Sequence, residues 1–227
     1  MPRRPRIWFP EALYHLIVRG DNREIIFFSD ADYRRYLELV AEARQRFECR
    51  LFAYALMTNH AHLMVQTGQT HSVSKFMQWL NTSYTIYVNK RHQRVGHVFQ
   101  GRYHSVLVEK DSYALELSRY IHLNPVRAGM VRTPEAYRWS SFHEYLHPGR
   151  PGLTDTDLIL AMISPIASHQ RPLYRQFVME GLTARPSWLE RQLEAPNHIV
   201  GTAEFVEQVA VKLMGVRPPV AGVRPPA

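Results

Sequence analysis

Residues 50–66 read RLFAYALMTNHAHLMVQ. Arg50–Met57 and Ala61–Gln66 are two β-type runs split by Thr58-Asn59, and they read as an antiparallel pair. Helical periodicity flanks the pair on both sides. Asp30–Phe47 carries Tyr33, Leu37, Val40, Ala41 and Phe47 at helical spacing, with acids in its first turn. Val73–Arg91 places Val73, Phe76, Met77, Leu80, Tyr84, Tyr87 and Val88 on one stripe. Farther out, Leu13–Arg19 is a short apolar run closed by Gly20-Asp21-Asn22, a strand followed by a turn. Val98–Val108 is strand-like again, with Gly101 as a site for a bulge. Asp111 is expected to cap a third helix that ends near Asn124-Pro125, because a residue before proline avoids the helical region.

The order β-α-β-β-α-β-α predicts an α+β sandwich built on a mainly antiparallel sheet. One face is expected to be covered by helices and the other left freer for a ligand. Trp139-Ser140-Ser141 reads as a structural cap closing this unit, since no nucleophile elbow surrounds the serines. Beyond it, Pro148, Pro151, Pro165, Pro172, Pro186 and Pro196 break the chain into short helical pieces such as 155–163 and 173–181. Ala203–Met214 is one more amphipathic helix, and the end repeats GVRPPVA as GVRPPA, a proline-rich tail expected to be disordered.

Composition narrows the class. The chain of 227 residues is 45% hydrophobic and 21% charged, near the averages of folded domains, which excludes wholesale disorder. Cys49 is the single cysteine, too few for a disulfide framework or a thiolate zinc site. No apolar run approaches the roughly 18 residues that span a bilayer. The N-terminus, MPRRPRIWFP, has no signal-peptide core, so a cytoplasmic protein working beside the nucleoid is expected. The net charge is +8, and all of it lies in residues 1–150, where 21 basic side chains face 13 acidic ones. Cys49–Val108 holds no Asp or Glu at all. A solvated face normally mixes signs, so an acid-free window points to a phosphate-bearing partner that carboxylates would repel. Trp79, Tyr84, Tyr87, Phe99 and Tyr103 interleave with its bases, a pattern suited to stacking on unpaired nucleobases and equally to a core.

Two elements carry chemistry. His60 and His62 lie two residues apart on a strand, so both imidazoles share a face and can share one divalent cation. Neutral imidazole suits Mn, Zn, Ni or Fe, whereas Mg prefers oxygen ligands. Glu116, Tyr120 and Asn124 follow at i, i+4 and i+8 on one helix face, bringing a phenol and a ligand-capable amide together. A cation held by two imidazoles and an amide oxygen can polarise a phosphodiester, and a tyrosine hydroxyl is then a competent nucleophile. The same tyrosine can equally anchor its helix to the sheet. Tyr103, beside Gly101 and Arg102, is a weaker candidate nucleophile because no ligand partner follows it at helical spacing.

The segments AYALMTNHAHLMVQT, GHVFQGRYHSVLVE, RYIHLNPVRAGMV and WSSFHEY, with the opening YHLIVRG, resemble the signature blocks of the single-strand HUH transposases of the tyrosine type. They are most similar to the REP-associated branch, over residues 1–147. The resemblance implies a ferredoxin-like (RRM-like) catalytic domain over 1–147; the proline pattern and the repeat leave a helical region over 148–214 and the tail over 215–227. It implies cleavage and rejoining of single-stranded DNA at REP-like hairpins through a 5′-phosphotyrosine. Tyr120 matches the nucleophile; His60, His62 and Asn124 match the ligands of a divalent metal ion, Mg or Mn. Ala61 departs from the bulky residue usual between the two histidines. Arg3, Arg4 and Arg6 form a basic arm, and with Arg19, Lys90, Arg91, Arg94 and Arg102 they are the DNA-binding candidates. Relatives act as monomers or as homodimers with swapped catalytic helices. Two other classes compete: a non-catalytic nucleic-acid binder on an RRM-like sheet, and a metal-dependent hydrolase using water.

Overall fold

The computed structural model describes residues 7–149, 152–183, 191–193 and 199–214. Arg3, Arg4, Arg6, Pro151, Pro186, Pro196 and the repeat over 215–227 lie outside the described residues.

The hairpin forms as its sequence dictates. β2 (Arg50–Met57) and β3 (His60–Gln66) pair antiparallel, with Met57 opposite His60 across the two-residue turn. The register shifts once, between Leu51 and Ala53, at a bulge. β1 (Leu13–Arg19) lies between β3 and β4 (His104–Val108), antiparallel to both. Its closing turn needs a left-handed residue, which Asn22 supplies at φ 46°. A two-residue strand, β5 (Ile199–Val200), adds in parallel outside β4, so the sheet is mixed and ordered β2-β3-β1-β4-β5.

α1 (Asp30–Arg46) and α2 (Val73–Arg91) pack on one face over Tyr14, Leu16, Val18, Leu63 and Val65. The Ser29 amide donates to Asp32 Oδ2 at 2.8 Å, which fixes the start of α1. Ala61 is fully buried on this side, within the core beneath α1 and α2.

The α+β, ferredoxin-like arrangement stands, but the face expected to be freer is covered. α3 (Lys110–Arg127), α4 (Phe142–Leu146), α5 (Asp157–Ile163) and α6 (Ala167–Glu180) bury Leu13, Phe52, Ala55, Met64, Val106 and Val108 in a second core. The strands explain this: nearly every position of β1, β2 and β3 is buried, and continuous burial needs layers on both sides. α7 (Ala203–Met214) forms as expected.

Four boundaries differ from expectation. Residues 98–103 are irregular and only His104–Val108 is strand, because Gly101 sits at φ +149° and Phe99 makes an isolated bridge to Gly20. α3 starts at Lys110 with Asp111 inside its first turn, and it runs through Pro125 to Arg127. Pro125 forfeits a single amide bond, and the bonds from Ala128 to Asn124 and from Met130 to Pro125 close the end. α5 starts at Asp157, since the Asp155 carboxylate is used by the Leu51 amide (3.0 Å) and Arg44 (2.7 Å). α6 starts at Ala167 because it too tolerates a proline, Pro172.

Candidate active site

β3 points His60 and His62 to the α3 side of the sheet, as period-2 alternation requires, with ring centroids 5.0 Å apart. β1 is the neighbour of β3, and its His15 reaches the same place. His15 Nε2 lies 2.9 Å from His62 Nδ1, and the two rings stack at 5.1 Å. From above, α3 lowers Tyr120 onto the pair, with its ring centroid 5.5 Å from His15 and 5.9 Å from His62, edge-on to both. Tyr120 is only 3% exposed, so packing fixes its ring against the histidines. Arg127, two turns on, holds its guanidinium carbon 6.0 Å from the Tyr120 ring centroid.

The hydrogen bonds assign the ring atoms. Asn59 Nδ2 donates to the Arg23 carbonyl at 3.0 Å, so Asn59 presents Oδ1 to His60 Nδ1 at 2.7 Å. An amide oxygen only accepts, so His60 Nδ1 carries the proton and Nε2 the lone pair. His62 Nε2 is buried without a hydrogen-bond partner among the described residues. Burial lowers the His60 pKa to about 4, assisted by the Arg19 charge, and the His15 pKa to about 3. Burial first, then the neighbouring His15, His60 and Arg19 charges, push His62 well below the ordinary histidine value. Two neutral imidazoles with bare nitrogens are the donor set of a divalent transition cation, and the orphaned His62 Nε2 fits such an ion.

Among the described residues no cluster of three or more His, Cys, Asp or Glu side chains is placed to hold a metal ion. Asn124 lies one turn beyond Tyr120, and its Nδ2 donates to the Tyr120 carbonyl at 2.9 Å, leaving Oδ1 as the atom it presents. Glu116, the third residue of that helical series, is ion-paired with Arg119.

The basic candidates divide into two groups. Arg19 ends β1 opposite His60 and is exposed. Lys90 and Arg102 are exposed and make no ion pair among the described residues. Arg102 lines a cavity of about 660 Å³ with Gln78, Asn81, His97 and Tyr103. Arg91 and Arg94 are instead engaged within the chain. Arg91 Nε is 3.5 Å from the buried Asp32, and Arg94 pairs with Glu24 at 3.0 Å while its guanidinium lies over Phe28. Tyr103 is buried in the α1/α2 core, its hydroxyl 3.1 Å from Ser74 Oγ, away from the histidines. Trp139-Ser140-Ser141 pairs its backbone with β2: the Leu56 amide donates to Trp139 and the Ser141 amide to Tyr54.

His15 is the site residue that sequence reasoning missed. Its signal was present: a histidine inside the apolar run LYHLIVR, on the alternation that faces α3.

The family profile described as "Transposase IS200 like" matches residues 9–124. The chain belongs to the IS200-like transposase family. That match contains the whole histidine–tyrosine cluster and ends at Asn124. No curated protein matches the chain. Among solved structures, one of the REP-associated tyrosine transposase bound to a REP hairpin superimposes with TM-score 0.57 at 15% identity, covering 70% of this chain and 96% of that one. A structure from Deinococcus radiodurans described as a transposase aligns with TM-score 0.38 at 17% identity, covering 53% of this chain and 95% of the other. This IS200-like transposase thus shares its fold with the hairpin-bound protein. No helix among its described residues is long and apolar enough to cross a membrane.

Proposed function

We propose that this transposase nicks and rejoins single-stranded DNA at REP-like hairpins, with Tyr120 as nucleophile and His60, His62 and Asn124 as ligands of a divalent cation, Mn or Mg. The observation that carries the reading is the packing of the Tyr120 ring edge-on to His15 and His62, with His62 Nε2 buried and without a hydrogen-bond partner among the described residues. The hairpin-bound state of the fold neighbour supports the substrate class. The catalytic unit is residues 1–147, with α5 and α6 of the C-terminal region packed against α3 and α7 placing Val206 and Val209 in the core on the α1/α2 side.

When bound, the cation would polarise the scissile phosphodiester and offset charge on its oxygens. Tyr120 Oη attacks phosphorus, the Oη–P bond forms, and the bond from phosphorus to the 3′ oxygen breaks. The phenolic proton ends on the leaving oxygen, giving a 5′-phosphotyrosine and a free 3′-hydroxyl. Phosphodiester number and charge are unchanged, so the step reverses on attack by a 3′-hydroxyl and the strand is rejoined. Arg19 beside His60 and Arg127 beside Tyr120 supply fixed positive charge where the phosphate must lie.

Incubating the protein with a labelled single-stranded hairpin and Mn or Mg tests this. An adduct that survives SDS is expected from the natural chain and none from Tyr120→Phe. An adduct retained by Tyr120→Phe would remove Tyr120 from the role. Nicking without an adduct would favour water as nucleophile, and tight binding without nicking a non-catalytic binder.

A further inference from the structure

His15 makes two hydrogen bonds whose directions are linked. Its Nδ1 lies 3.0 Å from the Leu193 carbonyl oxygen, and its Nε2 lies 2.9 Å from His62 Nδ1. A carbonyl oxygen can only accept, so His15 Nδ1 must carry a proton. In a neutral ring His15 Nε2 is then a bare acceptor, and His62 must donate from Nδ1. That leaves the lone pair of His62 on Nε2, the buried atom without a hydrogen-bond partner among the described residues. The opposite arrangement would place the His15 Nδ1 lone pair against the carbonyl oxygen inside a fully buried pocket, where water cannot relieve it. Leu193 is buried in the core shared by α3 and the C-terminal helices, and it lies outside the matched residues 9–124.

We infer that His15 is a positioning residue, and that the C-terminal region, through the Leu193 carbonyl, fixes by way of His15 which nitrogen of His62 is available to a divalent cation. The inference rests on the metal-site reading above and adds to it the part of the chain that sets the ligand's tautomer. A histidine ligand held by a hydrogen bond from its other nitrogen is already oriented and in the right protonation state before the ion arrives. It also gives the C-terminal region a role at the histidine pair.

Long-range nitrogen–proton NMR correlations of the histidine rings in the metal-free protein read the tautomers without any metal. Both His15 and His62 are expected as Nδ1–H; His62 found as Nε2–H overturns the inference and leaves the metal-site reading intact. Titration with Mn²⁺ gives the second readout. His15→Phe keeps the ring volume and removes both bonds, and it should weaken Mn²⁺ binding about 10- to 100-fold. His15→Gln, whose amide oxygen can accept from His62, should recover part of that loss. Equal affinity of His15→Phe and the natural chain overturns the inference. Where His15→Phe fails to fold, the tautomers of the natural chain and the affinity of His15→Gln decide. His62→Ala binding Mn²⁺ as tightly as the natural chain would instead overturn the metal-site reading, and the tautomer measurement would still judge His15.

Discussion

The Asn124 amide nitrogen closes a bond to the Tyr120 carbonyl, and its oxygen is the atom proposed above as a ligand. Truncation should therefore separate the two roles. The nitrogen's bond is partly exposed and lies within one helical turn, so losing it costs about 1 kcal/mol at most. Loss of a ligand oxygen costs far more in affinity. Asn124→Ala is expected to keep its melting temperature within a few degrees while Mn²⁺ affinity falls about tenfold or more, read by titration. An unchanged affinity would take Asn124 out of the ligand set. The legibility of the site follows from periodicity at this scale. His60 and His62 could be placed on one face because a strand repeats every two residues, and Tyr120 and Asn124 because a helix returns every four. His15 could not be joined to them, since strand adjacency between β1 and β3 is a long-range fact that no local period encodes.

α3 carries the tyrosine, and a buried chain of hydrogen bonds holds it from behind. The Tyr54 amide donates to Ser141 Oγ (2.9 Å), which lies 2.8 Å from His122 Nε2. His122 Nδ1 lies 2.8 Å from the Tyr174 hydroxyl, which donates to Ser118 Oγ at 2.9 Å. Because Tyr174 gives its proton to Ser118, His122 must be protonated on Nδ1 and accept on Nε2 from Ser141. The chain thus ties β2, α3 and α6 together through a neutral histidine whose pKa burial lowers to about 3. His122→Phe removes two buried hydrogen bonds at once, leaving Ser141 only its bonds to Tyr54 and Tyr174 only its bond to Ser118, and should cost about 3 kcal/mol at pH 7 in urea unfolding. The natural chain has a further dependence. An unfolded His122 takes up a proton near pH 6.5 and a folded one resists until about pH 3, so stability is full above pH 6.5 and falls as the pH drops below it. One such group contributes up to about 1.4 kcal/mol per pH unit across that window. The unfolding free energy of His122→Phe should therefore fall less steeply between pH 6.5 and 5 than that of the natural chain; equal slopes would contradict the neutral assignment. Among the elements themselves, β1, β2, β3, α1 and α2 were readable because each has a clean period bounded by a turn. The start of β4 was not, because glycine geometry rather than hydropathy ends the pairing there. The covered second face was hidden because the helices that bury it come from sequence far downstream.

For the molecule as a whole, the excess of +8 is useful to a phosphate only where it is not already spent. Arg91 and Arg94 belong to the acid-free window by sequence, yet the fold brings Asp32 and Glu24 to them from α1 and the β1–α1 connection. Asp32 is ionised there through other groups: burial alone would raise its pKa, but hydrogen bonds from His92, Tyr87 and Ser29 hold it below the ordinary value, so Arg91 faces a charged carboxylate. A guanidinium committed to a carboxylate releases little when DNA arrives. Arg19, Lys90 and Arg102, exposed and without ion pairs among the described residues, retain their full charge for a phosphate. Salt dependence distinguishes the two sets, because each phosphate neutralised on a single strand contributes about −0.7 to the slope of log K against log salt. Arg102→Ala and Lys90→Ala are each expected to flatten that slope by about 0.7 in titrations of a hairpin oligonucleotide, with little change in melting temperature. Arg91→Ala should instead lower the melting temperature, by leaving Asp32 with one cation fewer, while the slope changes by much less. The reverse pattern would mean that DNA displaces the internal carboxylates and recruits the paired arginines, and the charge of this face would then have to be counted from the sequence rather than from the fold.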